Sequence, residues 1–230
     1  MKTNRTIILL LAMFGIAGSG CNSSNEKGYE RSVSLQDGVL LELVKTPRGF
    51  WIGKTEVTQE QWETVMGDNP SAFKGGDHPV DSVSWNDCQK FLEKLNEMPA
   101  VANSDLVFRL PNEDEWEFAC RAGSSNDYSR LRNGTDVSKA DLDGVAWFET
   151  NAKEQTHSVG KKAPNAFGLH DMHGNVWEWT STEEGGDRVL RGGSWNQSSD
   201  SCKSSNRGRY SPSFTYRTLG FRLCADGKAD

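Results

Sequence analysis

The stretch Phe108-Arg-Leu-Pro-Asn-Glu-Asp-Glu-Trp-Glu-Phe-Ala-Cys-Arg-Ala-Gly123 divides the chain into two unlike halves. Arg109 to Arg121 reads as a helix, because Glu113, Asp114 and Glu115 crowd a first turn where the helix dipole favours negative charge. That placement explains the three carboxylates without acid–base work. Two further helices are expected before it. Thr58-Gln-Glu-Gln-Trp-Glu-Thr-Val-Met66 opens on a threonine with a glutamine three residues on, a capping arrangement that turns Trp62, Val65 and Met66 inward. Ser84 to Asn96 repeats the design, with Cys88, Phe91, Leu92 and Leu95 on one stripe. Val39–Val44 and Gly49–Gly53 read as short strands across the Pro47 turn. Beyond Ala122, Gly and Asn clusters stand at nearly every turn, and strands with long loops are expected. Helices early and strands late make an α+β fold.

The whole chain has 230 residues and no internal repeat or second linker, so residues 33–230 read as one domain. Hydrophobic residues at 35%, together with 23 glycines, reach ordinary globular content and exclude wholesale disorder. Eight Trp and ten Phe among many Gly and Ser point to irregular loops pinned by aromatic rings rather than to a helical bundle. With 26 Lys plus Arg against 32 Asp plus Glu, the formal charge is −6, which does not suit a nucleic-acid partner.

Residues 1–20 have the three-part form of a secretory signal: Lys2 and Arg5, an apolar run from Thr6 to Ala17, then Gly18-Ser19-Gly20 before Cys21. The apolar run is too short to span a bilayer. Small residues directly before a cysteine resemble the bacterial lipobox, in which Cys21 would be cleaved free and lipidated. An ordinary signal with Cys21 in a loop is the alternative. Residues 21–32 would then be the lipidated cysteine and a polar tether, and several acyl chains would anchor the protein stably to a membrane. Asn22, rather than Asp, after the cysteine favours the outer membrane of the cell envelope.

Six phrases, in order, closely resemble the formylglycine-generating enzyme family, also called the sulfatase-modifying factor family. They are Ile52–Thr58, Pro79–Asp87, Phe108–Gly123, Asn165–Trp179, Arg188–Trp195 and Leu219–Leu223, and they cover nearly the whole domain. The resemblance implies an irregular C-type lectin-like fold with little regular secondary structure. The Gly-Gly-x-Phe-x-Met-Gly segment usual near the family's start is missing between Leu43 and Phe50. Formylglycine-generating members hold copper(I) between two cysteines five residues apart, a donor set suited to a soft ion. In that register the second cysteine falls on Cys202 and the first on Gln197, whose amide cannot replace a thiolate. Ser194 and Trp179 match residues beside the reactive centre. The resemblance also implies a structural calcium loop, with side-chain oxygens from Asn175 and Glu178 and carbonyls of His173 and Val176. A second family calcium site would need ligands near Asn151. The family often ties an early helix to the C-terminal strand by a disulfide whose helix position corresponds here to Leu92; Cys88 lies four residues earlier on the same face, so the resemblance implies Cys88 with Cys224, and Cys120 is left free and buried because its usual partner position is Arg207.

Of the four histidines, His170 and His173 have a His-x-x-His spacing, but no third zinc-type ligand stands nearby. The segment Trp195–Thr218 is rich in Ser, Asn, Tyr and Arg, a composition suited to adaptable recognition. It resembles the variable region of retroelement-diversified proteins built on the same lectin-like fold. Three functions stay open. One is a lipid-anchored, non-catalytic module that binds a protein or small-molecule ligand near Gln197, Cys202, Tyr210, Phe214 and Tyr216. Another is a formylglycine-generating oxidoreductase centred on Cys202, and the last is a structural subunit of an envelope assembly.

Overall fold

A computed structural model describes residues 30–228, so the expected signal, Cys21 and most of the tether lie outside the described residues. Local signals place the helices. Helix α1 (Gln59–Met66) starts behind Thr58, α2 (Trp85–Glu97) behind Ser84 and α4 (Glu113–Arg121) behind Asn112. At each, the capping side chain accepts from the third helical N–H while the residue there (Gln61, Asp87 or Glu115) reaches back. A single turn, α3 (Pro99–Ala102), follows α2. The helix expected from Arg109 begins later, because Leu106–Arg109 is strand β4. Pro111 disfavours helical geometry at Leu110 and so separates the two elements.

Two sheets form around these helices. Strands β1 (Glu30–Ser34), β2 (Leu40–Lys45), β3 (Trp51–Gly53), β4 and β9 (Cys224–Gly227) make an antiparallel sheet in the order β1-β2-β3-β9-β4. Strands β5 (Trp177–Glu184), β6 (Asp187–Arg191), β7 (Arg207–Tyr210) and β8 (Leu219–Gly220) make the second, in the order β7-β6-β5-β8, with β5 and β8 parallel. Between Ala122 and Trp177 the chain is loop, apart from one 3-10 turn at Leu142–Gly144 and isolated bridges. This is the irregular α+β fold expected from the motifs.

The main core joins α1 and α2 to one face of the first sheet and to Trp179, Leu190 and Leu219 of the second. Trp62, Phe91 and Phe221 pack at its centre, with Phe91 5.3 Å from each of the other two rings. A second core, around Trp116, Ala119 and Cys120 of α4, covers the opposite face of the first sheet through Val44, Ile52 and Cys224.

That division corrects the expected Cys88–Cys224 bridge. Cys88 belongs to the α2 core, whereas Cys224 belongs to the α4 core and its neighbour Ala225 to the α2 core. Successive side chains of a strand point to opposite faces, so Cys224 is turned away from α2 by the pleat itself. Cys88, Cys120, Cys202 and Cys224 are all buried free thiols.

Candidate functional site

The loop after β6 holds most of the residues singled out for chemistry. Gly192 and Gly193 have φ of 102° and 78°, and a Cβ on Gly193 would stand 2.7 Å from Cys202 Sγ and 2.9 Å from the Ser201 carbonyl. Only glycine lets the Gly193–Ser194 turn close over the Cys202 turn. Ser194 Oγ donates to Asn196 Oδ1 at 2.9 Å, and the Ser194 N–H points at Cys202 Sγ. Gln197 closes the loop through its backbone, donating to the Ser194 carbonyl and accepting from Glu149 N–H.

Cys202 lies beneath this lid at 0% exposure, and burial pushes its thiol up to about 12. It is a neutral thiol at physiological pH, whereas nucleophilic and metal-binding sulfur is thiolate. Trp179 is not beside it. The indole belongs to the main core between the sheets and donates to the Val83 carbonyl at 3.0 Å. The expected cluster of Cys202, Ser194 and Trp179 is thus only a Cys202–Ser194 pair, turned inward.

His173 is the other group at Cys202. Its Nδ1 faces the Cys202 carbonyl at 2.8 Å and its Nε2 faces Ser129 N–H at 3.1 Å. The amide can only donate, so Nε2 accepts and the proton sits on Nδ1. Burial lowers the His173 pKa to about 4 and keeps the ring neutral. His170, by contrast, faces the Lys162 carbonyl at 2.9 Å, so the His-x-x-His pair serves two separate loops.

The Gly174–Glu178 loop is held by protein partners. Asn175 Oδ1 accepts from His157 N–H at 3.0 Å, while its Nδ2 donates to Glu56 Oε2 at 2.7 Å. Glu56 Oε1 accepts from Val176 N–H at 3.0 Å. Glu178 accepts from Trp116 Nε1 at 2.6 Å and from Arg222 Nη2 at 2.8 Å. Arg222 also donates to the carbonyls of Gly53 and His170, both at 2.9 Å. The cation beside Glu178 is therefore a guanidinium, and Asn175 turns its amide nitrogen toward the nearest carboxylate. Asn175, Val176, Glu178 and His173 do not fit a shared calcium in this arrangement. Among the described residues no group of three or more His, Cys, Asp or Glu side chains converges on a metal position.

Sequence reasoning missed Glu56, Asp171 and Arg222 as a buried network. Burial, with Asp171 and Glu178 adding like charge, pushes the Glu56 carboxyl well above its ordinary range. Asp171 is also raised by burial, and its Oδ2 accepts from Gly160 N–H at 2.7 Å while Oδ1 has no partner. Glu56 and Arg222 stood in the phrases Ile52–Thr58 and Leu219–Leu223, but nothing local tells that they approach the same loop.

Tyr210, Phe214 and Tyr216 do come together. They are 46%, 39% and 49% exposed and form a stack, with ring centroids 4.4 and 6.4 Å apart and planes inclined by 23° and 19°. The excursion that carries them is pinned: Asn86 N–H donates to Pro212, Phe214 N–H to Ser211 and Trp177 N–H to Thr218. Arg217 continues the patch, its guanidinium 5.1 Å from the Trp195 ring while Trp195 Nε1 donates to the Arg217 carbonyl.

The sulfatase-modifying factor enzyme 1-like domain matches residues 28–227. The chain belongs to that family. "Chaperone protein LppX" of Paenibacillus barcinonensis is 30% identical, over 90% of this chain and 94% of that protein. "Formylglycine-generating enzyme" of Mus musculus is 29% identical over 83% of this chain, which spans only 56% of the mouse protein. Among solved structures, "Treponema denticola variable protein 1" superposes with a TM-score of 0.67 and 31% identity, over 85% of this chain and 91% of that one. Within the sulfatase-modifying factor frame, this chain carries the expected lectin-like scaffold, with an inward-facing thiol at Cys202 and an outward-facing aromatic stack. No described helix is long and apolar enough to cross a membrane.

Proposed function

We propose that this protein is a lipid-anchored component of the bacterial cell envelope whose sulfatase-modifying-factor-like domain binds a partner and does not make formylglycine. One observation carries the reading: the thiol at the position of the second copper cysteine is sealed under the Gly193–Ser194 turn, with Gln197 at the position of the first. A buried neutral thiol with no second sulfur lacks the soft donor pair that copper(I) requires. Exposed, pinned aromatic rings are instead suited to recognition, since they offer contact area at little entropic cost. The near full-length relative whose name calls it a chaperone supports a partner-binding role. Anchoring through Cys21, in the outer membrane, belongs to the same proposal.

The full chain is to be incubated with copper(I), oxygen and a sulfatase-motif peptide, beside Cys202→Ser. No aldehyde product from either protein is the expected result. Turnover by the parent that Cys202→Ser abolishes would sink the binding-only reading. Fractionation of cells carrying the parent or Cys21→Ala tests the anchor, which is expected to hold only the parent in the membrane.

A further inference from the structure

Strand β1 opens at Glu30, nine residues after Cys21. An extended chain gains at most about 3.5 Å per residue, so that interval spans no more than about 30 Å. A domain of roughly 200 residues is about 40 Å across. With Cys21 lipidated, the bilayer therefore lies beside the end of the first sheet where β1 starts, and the far side of the domain is out of its reach.

The strand register fixes what stands at that end. Glu30 pairs with Val44, Lys45 with Trp51, Trp51 with Ala225 and Leu106 with Gly227, so the β2–β3 turn (46–50), the end of β9 and the start of β4 all share it. Glu30, Asp105 and Asp226, the carboxylates on or next to these strand ends, are each held by an arginine: Arg132, Arg31 and Arg109 respectively. The cations that flank and form the turn are not engaged in this way. Lys45 Nζ lies 5.6 Å from the Trp51 ring centroid and the Arg48 guanidinium 3.9 Å from that of Phe118, and neither has a carboxylate partner among the described residues. Both side chains belong to exposed residues. The turn that presents them is closed by its own bonds, with Thr46 Oγ1 donating to the Phe50 carbonyl at 3.1 Å and Gly49 N–H to the Thr46 carbonyl at 2.9 Å.

We infer that this end of the sheet faces the membrane, where Lys45 and Arg48 meet the phosphates of anionic phospholipid headgroups in the bilayer that holds Cys21. The inference rests on the lipid-anchored reading above and orients the domain on its anchor. A chain of net charge −6 is repelled as a whole by an anionic surface, so it approaches best through a face whose carboxylates are already neutralised. A guanidinium stacked on a ring keeps its N–H fork free for a phosphate. Attraction between basic side chains and anionic headgroups fades within a Debye length, and the short tether keeps this turn inside that range.

The test reconstitutes the full lipidated chain into vesicles of phosphatidylcholine, alone or with added phosphatidylglycerol. Lysines are trace-labelled with a membrane-impermeant acetylating reagent and read by peptide mass spectrometry. Lys45 is expected to label about tenfold more slowly in the anionic vesicles, and the difference should vanish in about 1 M salt, where the Debye length is about 3 Å. Arg48→Glu should abolish the lipid dependence while leaving the Lys45 rate in detergent micelles unchanged, which shows that the turn still folds. Equal Lys45 rates in the two kinds of vesicle, with the protein firmly bound to both, would overturn the membrane-facing surface and leave the anchor in place. Protein that does not join vesicles at all would overturn the anchored reading and this inference with it.

Discussion

Cys202 shows how far a single residue's meaning depends on what lies above it. A thiol whose pKa is about 12 and whose exposure is nil has almost no thiolate at neutral pH. Burial raises Cys88, Cys120 and Cys224 as well. Iodoacetamide at pH 8 is therefore expected to label none of these four cysteines in the folded protein and all four in guanidinium, as read by peptide mass spectrometry. Rapid native labelling of Cys202 would show that the Gly193 lid opens. His173 makes a pH prediction. Its pKa is about 4 when folded against an ordinary value of 6.5, so above pH 6.5 it is neutral in both states and its contribution is whole. As pH falls from 6.5 to 4 the unfolded chain takes up a proton that the native ring refuses, and about 3 kcal/mol of stability is lost. Denaturant titrations across that window should show a shallower decline for His173→Gln than for the parent.

At the level of elements, three capping boxes do work that is legible in a few letters. Thr58 with Gln61 was readable as such, and so was the start at Ser84. Ser84→Ala removes the acceptor for Asp87 N–H and leaves only the reciprocal half of the α2 box, Ser84 N–H to Asp87 Oδ2, so a loss of about 1 kcal/mol is expected in urea unfolding. An unchanged midpoint would mean that the cap contributes nothing beyond the packing of α2. The start of α4 is not legible in the sequence, because the acidic first turn is a local signal whereas the strand pairing that claims Leu106–Arg109 is not. Val107 is exposed and Phe108 buried, the alternation of a strand, yet four residues are too few for that period to stand out. β4 exists because β9, more than a hundred residues later, pairs with it from Leu106–Gly227 to Arg109–Cys224.

Across the whole molecule, buried charge closes the fold. Arg222, next to the C-terminal strand, reaches Glu178 at the start of β5 and the carbonyls of Gly53 and His170, and so ties together four distant segments. Because a guanidinium already neutralises Glu178, EDTA is expected to leave the melting temperature of the protein unchanged. A clear drop, reversed by added calcium, would show that the protein holds a structural calcium after all. Arg222→Met should instead be strongly destabilising, by about 3–5 kcal/mol, because it strands a buried carboxylate. The sequence by itself determined the α+β class, the lectin-like family, the starts of α1 and α2 and the Ser-, Asn- and Tyr-rich tail. These reside in caps, stripes, composition and ordered motifs, all of which are local. Only the tertiary structure decided that Cys88 and Cys224 face opposite sides of a sheet, that Cys202 is sealed, that Arg222 stands where a cation would be sought, and that Tyr210, Phe214 and Tyr216 share one exposed stack. The face taken by Cys224 follows from strand pairing, where a shift of one residue would reverse it, and the rest follow from loops that meet only when segments far apart in sequence pack together.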